Sequence, residues 1–114
     1  MKTRSFQTSI VVAALLCLTL SIRAAGAGDT VAGKAVYTGK CRICHGADGE
    51  GGTGYAKAMG LDPAHLSSDK VQKKTDPELK KIILQGSGKM KPITGLSEID
   101  IDNVIAYVRT FRKN

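Results

Sequence analysis

Residues 41–45 read Cys41-Arg42-Ile43-Cys44-His45, a C-x-x-C-H motif in the first half of the chain. This spacing is the signature of covalent attachment of haem c. Two thiols three residues apart on one helical turn reach the two vinyl groups of one porphyrin, and the next residue turns its imidazole toward the iron. The motif therefore predicts a single haem c, bound through Cys41 and Cys44 and ligated by His45.

Three other uses are known for cysteine pairs of this kind: a redox pair, a zinc site and a structural disulfide. A thioredoxin-like redox pair requires a preceding strand in a βαβ unit, and the sequence shows no convincing strand. A structural zinc site needs four ligands. The candidates for such a site are Cys41, Cys44, His45 and His65. Adjacent Cys44 and His45 are poor tetrahedral partners, and a disulfide between the two cysteines leaves a glycine-rich chain with a thin core. Haem attachment is favoured over all three.

The second axial ligand must come from another part of the chain. Met90 lies in the glycine-rich stretch 86–92, which reads GSGKMKP and lies between two predicted helices. A loop at this place can fold over the face opposite His45, so Met90 is the predicted ligand. Met59, His65 and an open sixth position are the alternatives.

Three helical segments surround the motif and make the predicted fold all-α, wrapped around one haem. Residues 30–40 form the first segment. Thr75 caps the second, which ends at Gly86. Ser97 and Asp100 open the third, where apolar residues recur at helical spacing up to the C-terminal end.

The first 27 residues show the three regions of a secretory signal peptide. Lys2 and Arg4 give a basic start, and residues 10–22 are apolar but shorter than the roughly 20 residues that span a bilayer. The small residues 25–27 form the cleavage site. We expect cleavage after position 27, a mature domain of residues 28–114 without a transmembrane segment, and export to the periplasm. A thylakoid lumen or a retained membrane anchor is the alternative.

The chain carries a formal charge of +7, which becomes +4 once Lys2, Arg4 and Arg23 are removed with the signal. A basic balance favours acidic partners. Aromatic residues make up only 4% of the chain and the basic residues are scattered, which argues against nucleic-acid binding. No Ser/His/Asp or paired-carboxylate arrangement is present, so the sequence does not predict an enzyme.

At these residues the chain resembles the class I cytochrome c family, especially its short bacterial and lumenal members. The four-residue spacing of Gly33, Tyr37 and Cys41 matches the N-terminal helix of the family. Residues 104–108 resemble its C-terminal helix. The resemblance covers nearly all of residues 28–114.

In the family, the two terminal helices cross at a small glycine. The resemblance thus implies that Gly33 lies against Tyr107 and Tyr37 against Val104. It also implies Met90 as the distal ligand. Two departures stand out: Lys91 separates the methionine from the next proline, and residues 51–60 hold no proline whose carbonyl could orient the axial histidine. Another carbonyl must take that role.

Histidine and methionine ligation fills both axial positions of the iron and raises the reduction potential. The sequence therefore predicts a one-electron carrier, monomeric, that passes electrons through an exposed haem edge to membrane or soluble redox complexes. The basic residues that could ring this edge are Lys40, Arg42, Lys57, Lys89 and Lys91. Two alternatives remain for these residues: they steer docking onto an acidic patch of a redox partner, or they form an ordinary solvated surface. The alternatives in function are a peroxidase or gas sensor with a labile Met90, and a dissociable cytochrome subunit of a dehydrogenase or oxidase.

Overall fold

The structure, a computed structural model, describes residues 28–113, so the predicted signal segment lies outside the described residues. The helices in this range are α1 (Thr30–Lys40), α2 (Arg42–His45), α3 (Gly54–Ala58), α4 (Asp69–Gln72), α5 (Asp76–Gln85) and α6 (Glu98–Arg109). Residues 28–113 contain no strand, only an isolated bridge between Ser87 and Met90. The all-α prediction is confirmed. None of these helices has the length and apolarity needed to cross a membrane.

The three long helices each begin after a residue whose side chain caps the first turn, and two of these caps, Thr75 and Ser97, are predicted from the sequence. The Asp29 carboxylate accepts hydrogen bonds from the N–H groups of Val31 and Ala32 in the first turn of α1. Thr75 with Glu78, at α5, and Ser97 with Asp100, at α6, each form a complete capping box. Such boxes satisfy backbone donors that the first turn leaves free. Helix α5 ends at Gly86, which has a φ of 78°.

Helices α1 and α6 cross with their backbones in direct contact at Gly33. A Cβ atom at this position would lie 1.9 Å from the Asn103 carbonyl oxygen and 3.0 Å from the Tyr107 Cβ. The crossing is reinforced by the Asp29 N–H, which donates to the Asn103 side chain over 2.8 Å. The predicted contact of Gly33 with Tyr107 is confirmed, and the backbone of Asn103 lies closer still.

Aromatic side chains fill the space between α1 and the C-terminal end of α6. The ring of Tyr37, only 1% exposed, lies 5.3 Å from that of Tyr107 and 5.4 Å from that of Phe111. All three pairs are tilted or edge-to-face, the arrangement that aromatic rings prefer. The aliphatic core beside them consists of Val71, Leu79, Ile101 and Ile105.

Arg109, near the C-terminal end of α6, holds the connection between α4 and α5. Its guanidinium donates to the carbonyls of Gln72 and Lys74 over 3.1 and 2.6 Å, and it pairs with the Asp76 carboxylate at 2.6 Å. A planar guanidinium suits several acceptors at once. Arg109 therefore fixes the turn at 72–76 to α6.

Candidate haem-binding site

The described residues enclose a cavity of about 640 Å³. This is within the range of roughly 300–1,000 Å³ that is usual for sites of organic ligands. Its wall includes Cys41, Cys44, His45 and Met90, which are the predicted site residues. Most of the rest is aliphatic, including Leu61, Leu66, Val71, Leu79, Ile82, Ile83, Ile93, Val104, Ile105 and Val108.

The two cysteines lie on one helical turn, as the motif predicts. The Cys41 N–H donates to the Tyr37 carbonyl, and the Cys41 carbonyl accepts from the N–H groups of Cys44 and His45. Both thiols are free and half-buried, so the disulfide alternative is not formed. Burial, and to a lesser degree the neighbouring Cys44, raises the pKa of Cys41 to about 11. The Cys41 sulfur is therefore a protonated thiol at neutral pH.

Hydrogen bonds to the carbonyls of His45 and Gly46 fix the backbone at the axial histidine candidate. Its carbonyl accepts from the Gly51 N–H at 2.7 Å, and the Tyr37 hydroxyl donates to the Gly46 carbonyl at 2.7 Å. Burial is the main cause of a lowered pKa of His45, which keeps the imidazole neutral. Neutral imidazole is the form that binds a metal ion.

The Nδ1 atom of His45 is buried and has no hydrogen-bond partner among the described residues. The backbone of Ala64 opposes the lowering of the histidine pKa, as a carbonyl facing an imidazole N–H does. This contact falls short of hydrogen-bond geometry. Ala64 follows Pro63, just beyond the stretch 51–60, so its carbonyl is the candidate for orienting His45. Because every residue type has a backbone carbonyl, the identity of residue 64 does not predict this contact. The adjacent Pro63 is the local feature that marks the position.

Met90 lies in the loop between α5 and α6 and is half-buried. The N–H and C=O groups of Ser87 and Met90 bond to each other, both at 2.9 Å. The loop also contacts a distant segment, because the Lys89 ammonium donates to the Gly60 carbonyl at 2.9 Å. At Gly86 a Cβ would lie 2.4 Å from the Met90 carbonyl oxygen, so a glycine is needed at this point. These contacts hold Met90 at the cavity wall.

The alternative ligands are less well placed. Met59 lines the cavity but is 58% exposed, which suits a residue at the rim. His65 is exposed and is not part of the wall. Within residues 28–113 no group of three or more His, Cys, Asp or Glu side chains is arranged to hold a metal ion, so the four-ligand zinc arrangement is not formed.

The predicted ring of basic residues divides into two groups. Lys40, Lys89 and Lys91 line the cavity and are exposed. Arg42 and Lys57 are exposed but are not part of its wall. The aromatic residue Tyr55 also lines the cavity, and it is 47% exposed.

The residues of the wall fit a haem. Two free thiols supply the groups for covalent attachment, and a neutral imidazole and a thioether are haem-iron ligands. The Nδ1 of His45 is buried without a hydrogen-bond partner among the described residues, so Nε2 is the nitrogen available to a metal ion. An aliphatic wall suits the apolar porphyrin face.

A family model described as cytochrome c oxidase, cbb3-type, subunit III, matches residues 28–108. The chain belongs to this family of c-type cytochromes. The cytochrome is 38% identical over 91 residues to cytochrome c-554(547) of Halothiobacillus neapolitanus, covering 75% of this chain and 100% of that protein. It is 30% identical over 112 residues to cytochrome c-555 of Methylococcus capsulatus, covering 90% of this chain and 84% of that protein.

A solved structure of KustC0563 c-type cytochrome matches this cytochrome with a TM-score of 0.60 and 26% sequence identity. The match covers 71% of this chain and 98% of that structure. The predicted cytochrome c-like fold is therefore confirmed. Membership of the family implies a covalently bound haem c.

Proposed function

We propose that this cytochrome is a one-electron carrier that holds its haem through Cys41 and Cys44, with His45 and Met90 as axial ligands. The observation that carries the proposal is that these four residues line one cavity. When bound, haem c supplies a single iron that changes between the ferric and ferrous states by one electron.

The residues of the chain supply the environment for this exchange. Neutral His45 offers Nε2, because its Nδ1 is buried in the protein. The Met90 thioether is a soft ligand, which favours the electron-rich ferrous state and raises the potential. Held by both His45 and Met90, the iron would have no open position for oxygen or peroxide, so the arrangement supports transfer rather than catalysis.

The proposal is tested with the full chain, produced alongside a haem c maturation system. We expect haem to stay with the polypeptide on a denaturing gel, and to be lost from a variant that carries both Cys41→Ala and Cys44→Ala. The ferrous native protein should not change its spectrum under carbon monoxide. Carbon monoxide binding by the native form would contradict the carrier and support the peroxidase or gas-sensor alternative.

We further propose that the protein is exported, with the periplasm as its location, and that the exposed lysines at the cavity mouth steer it to acidic redox partners. Lys40, Lys89 and Lys91 line the cavity where an electron would leave, and complementary charge mainly accelerates association. We expect the rate of electron exchange with a small anionic redox reagent to fall as ionic strength rises. Lys91→Glu should lower this rate at low salt about threefold, on the order expected for reversing one steering charge, a change of two charge units.

Lys81→Glu is the matched control, because Lys81 is exposed on α5 and is not part of the cavity wall. It makes the same change in net charge. If both variants slow the reaction equally, or if salt has no effect, the steering proposal fails.

A second candidate function is that of a dissociable subunit of a larger redox complex. The family description names an oxidase subunit, which favours it. The match to cytochrome c-554(547), by contrast, spans 91 residues and the whole of that protein, which favours a free carrier of similar size. Stoichiometric co-purification of the tagged protein with a membrane oxidase or dehydrogenase would favour the subunit over the free carrier.

A further inference from the structure

Lys74 differs from the other lysines of the cavity wall. The wall contains Lys40, Lys74, Lys89 and Lys91 and a single carboxylate, Asp62. Of these lysines Lys74 alone is half-buried, and the other three are exposed. The wall of the cavity therefore carries an excess of positive charge, and Lys74 is the least exposed of its lysines.

Within residues 28–113 Lys74 forms no ion pair. The neighbouring Lys73 pairs with Asp69 at 2.8 Å, and the half-buried Lys80 pairs with Glu98 and Asp102. Glu78 lies near enough for the charge of Lys74 to contribute to its lowered pKa, but hydrogen bonds from Thr75 are the larger cause. A lysine that lines a cavity and forms no ion pair within the described residues leaves its positive charge to attract an anion bound there.

The backbone of Lys74 is already fully engaged. Its N–H donates to the Val71 carbonyl at 3.1 Å, and its carbonyl accepts from the Arg109 guanidinium at 2.6 Å. These bonds fix the residue to α4 and α6. The ammonium is the polar group that Lys74 has left to offer to a ligand.

We propose that Lys74 pairs with a propionate carboxylate of the haem and thereby raises the reduction potential. The inference rests on the proposed function, because it requires haem in this cavity. Haem carries two propionates, which are anionic at neutral pH, and the lysine excess of the wall is complementary to them. A fixed positive charge near the iron favours the ferrous state, which has one positive charge fewer. Lys74 is thus a positioning and tuning residue.

The experiment compares Lys74→Gln with Lys73→Gln in the haem-loaded full chain. Both changes remove one positive charge from adjacent positions, but only Lys74 is part of the cavity wall. We expect Lys74→Gln to shift the electron-transfer equilibrium against a fixed mediator about threefold toward the ferric form. This corresponds to about 28 mV at 59 mV for a tenfold change. Lys73→Gln should leave the potential unchanged, and Lys74→Arg should retain most of the native value.

An infrared difference spectrum between the two oxidation states gives a readout independent of the potential. A carboxylate band that shifts in Lys74→Gln and stays in place in Lys73→Gln would support the pairing. Equal potential shifts in the two glutamine variants, or no band shift in either, would overturn it. Failure of the proposed function is recognised separately, because the native chain would then carry no covalent haem on a denaturing gel.

Discussion

Replacement of Met90 by alanine should remove the weak long-wavelength band that a methionine sulfur gives on ferric haem iron. The thioether is the only group on this side chain able to ligate, and alanine offers none. We expect the ferric spectrum to change from low-spin to high-spin, and the reduction potential to fall because a soft ligand for the ferrous iron is lost. Optical spectra and a redox titration of the purified variant measure both effects.

Met59→Ala is the matched control for this prediction. Met59 also lines the cavity, but its side chain is 58% exposed, whereas Met90 is half-buried and its loop is bonded at Ser87 and at Gly60. We expect Met59→Ala to keep the sulfur band. Loss of the band in Met59→Ala and its retention in Met90→Ala would assign the distal ligand to the other methionine. Absence of the band from the native protein would indicate an open or exchangeable position and favour ligand binding or catalysis.

The long helices could be predicted from the sequence because their ends carry local signals. The capping residues at Thr75 and Ser97 act within one turn, and both boxes are formed in the structure. The short helices α3 and α4, of 5 and 4 residues, were not predicted. Helices of this length are not stable by themselves and depend on tertiary packing. A stretch of a few residues carries no pattern from which that tertiary packing can be predicted.

The same distinction applies to the site. Cys41, Cys44 and His45 are recognisable because the chemistry requires a fixed spacing, and Met90 because few candidates exist. The contact of the Ala64 backbone with His45 depends on where the chain passes, since a carbonyl is common to all residues. Lys74 could not be distinguished from its neighbour Lys73 by sequence. The difference arises because Arg109 fixes the turn at 72–76 against α6.

Gly33→Ala should destabilise the holoprotein by about 3 kcal/mol or more, at the upper end of the usual range for overpacking. The added Cβ would lie 1.9 Å from the Asn103 carbonyl oxygen, a backbone atom that cannot move without displacing α6. A change of side-chain rotamer cannot relieve this contact. Urea unfolding of the ferric protein measures the loss as a lower midpoint with an unchanged slope.

Gly39→Ala is the control on the same helix. A Cβ at Gly39 meets no atom within 4 Å, so alanine adds no clash and removes the conformational freedom of glycine. We expect it to stabilise the protein by about 0.5–1 kcal/mol. Opposite signs for the same substitution in one helix would show that the α1–α6 crossing, rather than helix propensity, determines the effect. Destabilisation of similar size in both variants would contradict this explanation.

The Gly33 variant also tests how the crossing supports the iron site. Helix α1 leads directly into Cys41, and the Tyr37 hydroxyl on the same helix holds the Gly46 carbonyl next to His45. A loosened crossing should therefore weaken the haem environment before the chain unfolds. We expect the sulfur band of Gly33→Ala to disappear at a urea concentration below the unfolding midpoint of that variant, by a wider margin than in the native protein, while Gly39→Ala keeps the native margin. Loss of the band only at the lowered unfolding midpoint of Gly33→Ala itself would mean that the crossing stabilises the fold without supporting the iron site.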